Sequence, residues 1–330
     1  MTRPLVGRSA WLITDGKIGM DVQVKGVADA LGLNCQLKHV SPREPFRMLS
    51  PYGPVDPRER LGSPGSPFAP PYPEVLLATG RLSIPYFRAV LRKAGIRTFG
   101  IVLQDPKTDP RTADVIWVPE HDKRRGPNVI TTLTAPHSFS QTRLAELRKH
   151  MPAEIAALPA PRVALILGGP SGNHDFDDKT VTRLANSIGS LARHTGSFLI
   201  SASRRTPPDM LAAVNVAAGK TPSLVWDGTG QNPYPDFLAH ADLLVVTGDS
   251  VNMTGEACAT GRPVYVFDPG PGSAKFARFH AALRRHGATR ELPKTLSRIE
   301  RWSYPPLDSA SDIAAEIERR WLARKAPKGP

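Results

Sequence analysis

Residues 241–267, ADLLVVTGDSVNMTGEACATGRPVYVF, constrain the fold of this chain more than any other stretch. An apolar run, Leu243–Val246, ends in Thr247-Gly248-Asp249-Ser250. A helix-compatible segment with one acidic residue, Glu256, follows and stops at Gly261-Arg262-Pro263, and a second apolar run, Val264–Phe267, closes the unit. Strand, tight polar turn, short helix and strand make a parallel β–α–β unit. The turn sets hydroxyls and backbone N–H groups at a helix N-terminus, where the macrodipole favours a phosphate. Ser250 is the predicted N-cap. Asn252 and Glu256 are four residues apart and share a helix face. At a rise of roughly 1.5 Å per residue, Glu256 lies about 9 Å beyond Ser250. A diphosphate at the turn then leaves ribose hydroxyls near the Glu256 carboxylate. An ordinary β–α–β unit with a surface glutamate fits the same spacing.

A chain of 330 residues is long for a single core and favours two domains. Its 40% apolar content suffices to fill them. No apolar run reaches membrane-spanning length. The start, Met1–Arg8, leads into an apolar strand, Ala10–Thr14, without the pattern of a signal peptide. Cys35 and Cys258 are the only cysteines, too few for a disulfide framework or a zinc site, so a cytoplasmic setting is expected. The net charge of +13 draws such a surface toward anions. General arginine enrichment accounts for it, and so does a peripheral contact with an anionic membrane surface at the inner membrane face. Nucleic acid is disfavoured, since no reading motif is present. No protein partner is indicated.

Both halves alternate short apolar runs with amphipathic segments, which gives an α/β class with two Rossmann-like domains facing a cleft. The first is expected over 1–155 and the second over 156–300, with Met151–Pro161 as the linker and 301–330 ending in a helix at Ala310–Arg324. Within the first, Ser41–Pro73 holds ten prolines in 33 residues and reads as a long surface insertion. Its Phe46, Met48, Leu49, Tyr52, Phe68 and Tyr72 stand among arginines. Packing on its own domain and dipping into a membrane interface are both open.

Ligands of open α/β sheets sit at the carboxyl ends of strands. Four loops fall there. Asp15-Gly16-Lys17-Ile18-Gly19-Met20 suits an anionic or sugar ligand, though it is neither a Walker loop nor G-x-G-x-x-G. Gly168-Gly169-Pro170-Ser171-Gly172-Asn173-His174 exposes backbone N–H groups for a diphosphate. Ser203-Arg204-Arg205-Thr206-Pro207 offers paired arginines to phosphate, or simply caps a turn. The Thr247–Glu256 loop and helix is the fourth. Asp105, His121 and His137 follow first-domain strands and are acid/base candidates. Glu120-His121-Asp122 is a poor metal site, because adjacent side chains on a strand point apart. No bound metal and no cofactor is expected.

These residues resemble a known family. Gly100-Ile101-Val102-Leu103-Gln104-Asp105-Pro106, Pro119-Glu120-His121-Asp122 and Gly126-Pro127-Asn128-Val129-Ile130 are similar to signatures of the "elongated mitochondria" mitochondrial-fission family and its bacterial homologues. So are Gly168-Gly169-Pro170-Ser171, the Ser203–Pro207 loop, Val225-Trp226-Asp227-Gly228 with Asn232-Pro233-Tyr234, and Asp249-Ser250-Val251 through Gly261. The similarity runs from about Ala10 to Leu292. In its second half the family resembles GT-B glycosyltransferases, where a glycine-rich loop and a helix bearing a ribose-binding glutamate hold a nucleotide-diphosphate sugar. The matching positions here are Gly168, Gly169, Ser171, Ser250 and Glu256. The GT-B likeness also implies a C-terminal helix that returns to the first domain. One departure stands out: the first loop often reads Asp-Gly-Lys/Arg-Pro-Gly-His in the family, and Met20 replaces the histidine and cannot act as a base.

The resulting expectation is a GT-B-like, metal-independent glycosyltransferase using a nucleotide sugar, by analogy uridine-linked. Gly168, Gly169, Ser171, Gly172, Arg204, Arg205, Thr247, Ser250, Asn252 and Glu256 would hold the donor. Gly16, Lys17, Gly19 and Asp105 would form the acceptor side, with Asp15 or His137 taking the acceptor proton. A non-catalytic adaptor related to the fission factors and a nucleotide-sugar epimerase are the alternatives.

Overall fold

The computed structural model describes residues 3–270 and 272–325. Met1, Thr2 and the last five residues of the expected 301–330 segment lie outside them. The chain divides into two compact units, 1–138 with 308–330, and 139–307.

In unit 1, β1 (Ser9–Thr14), α1 (Ile18–Leu31), β2 (Asn34–His39), α2 (Phe46–Leu49), β3 (Val75–Thr79), α3 (Ile84–Ala94), β4 (Phe99–Leu103), β5 (Val115–Pro119) and β6 (Val129–Thr132) follow in order. They build one parallel sheet in the order β2-β1-β3-β4-β5-β6. Strands covered on both faces must be apolar throughout, and β3, β4 and β5 are buried at every position. The period of two sorts the faces. Ala10 and Leu12 join Val24, Val27 and Leu31 of α1, whereas Trp11 and Ile13 join Phe87 and Val90 of α3. Gly32 ends α1 in the left-handed region at φ 68°.

The proline-rich insertion packs largely on its own unit. Phe68 is buried and meets Trp11 edge-on at 6.0 Å, and Tyr72 meets the same ring. It carries a short α-helix, α2, and a 3-10 turn at Pro57–Glu59, where the prolines predict no helix. Met48, Leu49 and Tyr52 stay exposed.

Unit 2 opens with α4 (Gln141–Lys149) and α5 (Ala153–Ala156). The sequence places both before the second domain, but their bonds lie within it. Arg148 donates to the carbonyls of Ala239 (3.1 Å) and Thr260 (2.8 Å), and Gln141 to that of Ala259 (2.7 Å). Met151–Pro161 is likewise no free linker, since Arg162 ties back to Ile155 and Leu158. There follow β7 (Arg162–Leu167), α6 (Asp178–Ala192), β8 (Ser197–Ala202), α7 (Pro208–Ala218), β9 (Ser223–Trp226), α8 (Tyr234–His240), β10 (Leu243–Thr247), α9 (Val251–Ala259), β11 (Val264–Phe267), α10 (Ala274–His286) and β12 (Thr289–Glu291). The second parallel sheet runs β12-β11-β10-β7-β8-β9. The last helix, α11 (Ser309–Lys325), belongs to unit 1. Its Ile313, Ile317 and Trp321 enter the core beside α1, and Arg324 pairs with Asp114 at 2.9 Å. Among the described residues no helix is long and apolar enough to cross a membrane.

Candidate functional site

Each sheet has one topological switch point, where connections leave in opposite directions and a crevice opens at the strands' carboxyl ends. In unit 2 it lies between β7 and β10. Ser250 caps α9 there, its hydroxyl accepting from the Met253 N–H at 3.3 Å. The glycine loop after β7 faces the same turn, but its N–H groups are already engaged. Gly168 N–H donates to Thr247 Oγ1 (2.7 Å) and Gly169 N–H to Asp249 Oδ2 (3.2 Å). Arg205 also donates to Asp249 Oδ2 (2.7 Å), and to the carbonyls of Gly169 and Pro170. The Asp249 side chain is fully buried. Gly168 leaves room for it: a Cβ there would stand 2.2 Å from Asp249 Oδ1. The groups expected at a diphosphate thus have partners within the unit: the Gly168 N–H has the Thr247 hydroxyl, and the Gly169 N–H and Arg205 share the Asp249 carboxylate.

Ser171 and Gly172 form a small hairpin, with Ser171 N–H bonded to the His174 carbonyl at 2.9 Å. Arg204 is exposed and Asn252 half-buried at the start of α9. Glu256 is 8% exposed and accepts a hydrogen bond from Tyr234 at 2.6 Å. Burial pushes its carboxyl up to about 7, with the Tyr234 bond pulling the other way. Beside this switch, the ends of β11 and β12 and helix α10 enclose a cavity of about 360 Å³ lined by His174, Phe276 and His280 among others. His280 Nε2 meets the Gly248 carbonyl at 2.8 Å, and its buried Nδ1 has no partner among the described residues.

In unit 1 the switch lies between β1 and β3, and it is open. A cavity of about 440 Å³ is lined by Asp15, Lys17 and Met20 after β1, by Gly80 and Arg81 after β3, by Gln104, Asp105 and Lys107 after β4, and by Arg47 from α2. Lys17 pairs with the nearly buried Asp15 at 2.6 Å, and Lys107 with Asp105 at 2.8 Å. Burial raises the Asp105 carboxyl, but the hydrogen bonds from Lys107 and the Arg124 charge outweigh it and hold it below the usual range. Gln104 adopts φ 72° without being glycine, a conformation that concentrates at functional sites. The Met20 sulfur accepts from Thr79 and Gln104 at 3.3 and 3.4 Å.

Of the two proposed proton acceptors, Asp15 lines this cavity and His137 does not. His137 is buried, and its backbone lies against Gly26, where a Cβ would meet the His137 carbonyl carbon at 2.7 Å. Gly16 sits in the left-handed region at φ 76°, and Gly19 is in the first turn of α1. Sequence reasoning missed Asp249, Tyr234, Arg47 and Arg81. The first two stand inside quoted motifs, next to residues that were singled out. Among the described residues, no group of His, Cys, Asp or Glu is arranged to hold a metal ion.

The model of the mitochondrial fission ELM1 family matches residues 18–321. The mitochondrial fission protein ELM1 of Arabidopsis thaliana is 30% identical over 276 residues, covering 76% of this chain. This chain spans 65% of that relative's length. Among solved structures, the UDP-GlcNAc 2-epimerase of Methanocaldococcus jannaschii covers 94% of this chain and 99% of its own, with a TM-score of 0.54 and 11% identity. The Neisseria meningitidis UDP-GlcNAc 2-epimerase, bound to UDP-GlcNAc, covers 96% and 100% with a TM-score of 0.51 and 12% identity. At such identity the likeness speaks for the fold, a GT-B-like pair of Rossmann-like units. The chain belongs to the mitochondrial fission ELM1 family.

Proposed function

We propose that unit 2 binds a nucleotide-diphosphate sugar, by analogy uridine-linked, and that the protein is a metal-independent glycosyltransferase. The observation that carries the reading is α9 itself: capped by Ser250 at the switch point, with a buried carboxylate, Glu256, about one and a half turns further on. The pyrophosphate would lie at the helix start, where N–H groups and dipole favour it. Arg204 is the guanidinium left to meet it, Arg205 being held by Asp249. A ribose diol would bond to Glu256 in place of the Tyr234 hydroxyl. The cavity beside His280 has the volume of a small-ligand pocket and would take the sugar. In transfer, the acceptor oxygen bonds to the anomeric carbon as the bond to the diphosphate breaks, and the acceptor proton passes to a carboxylate base or to water. The departing charge is stabilised by the α9 dipole.

A second reading, a non-catalytic adaptor, is favoured by Asp249, whose buried carboxylate already takes the Gly169 N–H and the Arg205 guanidinium that a phosphate would need. Calorimetric titration with UDP-GlcNAc, UDP and the guanosine and cytidine sugars decides between them. Saturable binding weakened about tenfold or more by Ser250→Ala and Glu256→Ala supports the donor site. No heat with any of these nucleotides leaves the adaptor. Incubation with donor alone, followed by sugar analysis, separates epimerisation from transfer.

A further inference from the structure

The open cavity of unit 1 is cationic in a way its own carboxylates do not cancel. Four cationic residues line it, Lys17, Arg47, Arg81 and Lys107, against two acidic ones, Asp15 and Asp105. The two acids are already matched, Asp15 by Lys17 and Asp105 by both Lys107 and Arg124. That leaves the guanidinium groups of Arg47 and Arg81 in excess. Arg47 is exposed and makes no ion pair among the described residues. Arg81 spends one nitrogen on the carbonyls of Met48 and Ser50, which fixes the α2 segment, and with it Arg47, over the β3 turn. Gly80, at φ 89°, removes a side chain from the same rim.

We propose that this cavity binds a phosphate monoester, gripped by Arg47 and Arg81. Guanidinium forks match phosphate oxygens in pairs. The position, at the carboxyl ends of β1, β3 and β4 beside the switch point, is where open sheets take ligands. The exposed Met48, Leu49 and Tyr52 follow directly on Arg47, so the ester can come from a free small molecule or from a lipid headgroup whose chains meet those side chains. The site stands on unit 1 alone and does not need a donor sugar in unit 2.

The test titrates the full chain with glycerol 3-phosphate in phosphate-free, low-salt buffer. Saturable binding is expected, weakened about tenfold by Arg47→Glu. Arg97→Glu makes the same charge change on the exposed loop entering β4, at the other end of the sheet, and is expected to have little effect. Arg47 supports no other group, so its variant keeps the fold, which circular dichroism checks. In parallel, the proteins are sedimented with phosphatidylcholine vesicles with and without phosphatidic acid. Arg47-dependent binding to phosphatidic acid vesicles alone assigns the headgroup, and binding of the soluble ester alone assigns a free metabolite. No saturable binding of either at millimolar concentration overturns the site, and so does equal weakening by Arg47→Glu and Arg97→Glu, which would be bulk charge. UDP-sugar binding is read separately, so failure here leaves the donor site untouched, and the reverse.

Discussion

The two sheets present the same feature, a switch point at the carboxyl ends of parallel strands, and use it in opposite ways. In unit 2 a buried aspartate stands at the switch point, bonded to a glycine N–H and an arginine. The nearby glutamate is held by a tyrosine. In unit 1 the corresponding place is a cavity whose carboxylates are paired and whose arginines remain available. Resemblance to nucleotide-sugar proteins directs attention to the second unit, whereas unsatisfied positive charge directs it to the first. A fold supplies the location, and the local balance of charge decides whether a ligand or a side chain fills it.

The largest effect is expected from emptying the filled side. Asp249→Ala removes a fully buried carboxylate and leaves the Gly169 N–H and Arg205 Nη2 without their acceptor, Nη1 keeping the Gly169 and Pro170 carbonyls. Since Arg205 is 40% exposed and partly solvated, the loss should be about 2–4 kcal/mol by denaturant unfolding, toward the lower end for broken buried pairs. If Asp249 stands in for an anion, added phosphate or UDP should restore part of that stability in the variant and not in the native chain. Gly168→Ala alone should also destabilise, because its Cβ would fall 2.2 Å from the carboxylate. In the Asp249→Ala background it should cost far less, and simple additivity of the two would break the picture of Gly168 as room for Asp249.

Glu256 gives the next effect, and its sign is opposite to that of a typical acid. Its carboxyl is raised in the folded state from 4.5 to about 7 by burial, against the Tyr234 hydrogen bond. The folded protein therefore holds this proton more tightly than the unfolded chain. That contribution is fully present below about pH 4.5 and is lost as pH rises through about 7. Glu256→Gln should leave stability at about pH 4 nearly unchanged and raise it at about pH 8 by up to about 3 kcal/mol. The same variant should lose nucleotide-sugar affinity if the ionised group clasps the ribose. A gain in stability with no loss of binding would reduce Glu256 to a core residue and shift the weight toward the adaptor.

Most of the architecture is legible in the sequence, because period-two and period-3.6 patterns separated by glycine and proline mark the elements locally. Strand β11 begins and ends where the apolar run Val264–Phe267 places it. Strand β12 is not legible: Thr289-Arg290-Glu291 has no apolar alternation and is a strand only through pairing with β11. The domain boundary misleads for the same reason, since the carbonyls that capture Arg148 and Gln141 lie about 90 to 120 residues along the chain. Of the site, Ser250 as a cap and Glu256 on the following turn follow from spacing. The engagement of Asp249 does not, as its partners Arg205 and Gly169 stand 44 and 80 residues away. Nor does the left-handed Gln104, because glutamine carries no turn signal.

The smallest effect separates the two switch points by the reason each needs its glycine. Gly80 stands at φ 89° and ψ 148°, a backbone region that side-chain-bearing residues avoid. The space around it is adequate, because a Cβ would be an ordinary 3.5 Å from the Asp15 carboxyl. Gly168 has the reverse problem, an unexceptional φ with no room. Gly80→Ala should therefore cost about 1–2 kcal/mol from conformation alone. That cost should persist unchanged when Asp15 is replaced by alanine, unlike the coupling between Gly168 and Asp249. Coupling of Gly80 to Asp15 above about 0.5 kcal/mol in a double-mutant cycle would mean that the unit 1 rim is also shaped around its own carboxylate, and the contrast between a filled and an open switch point would narrow.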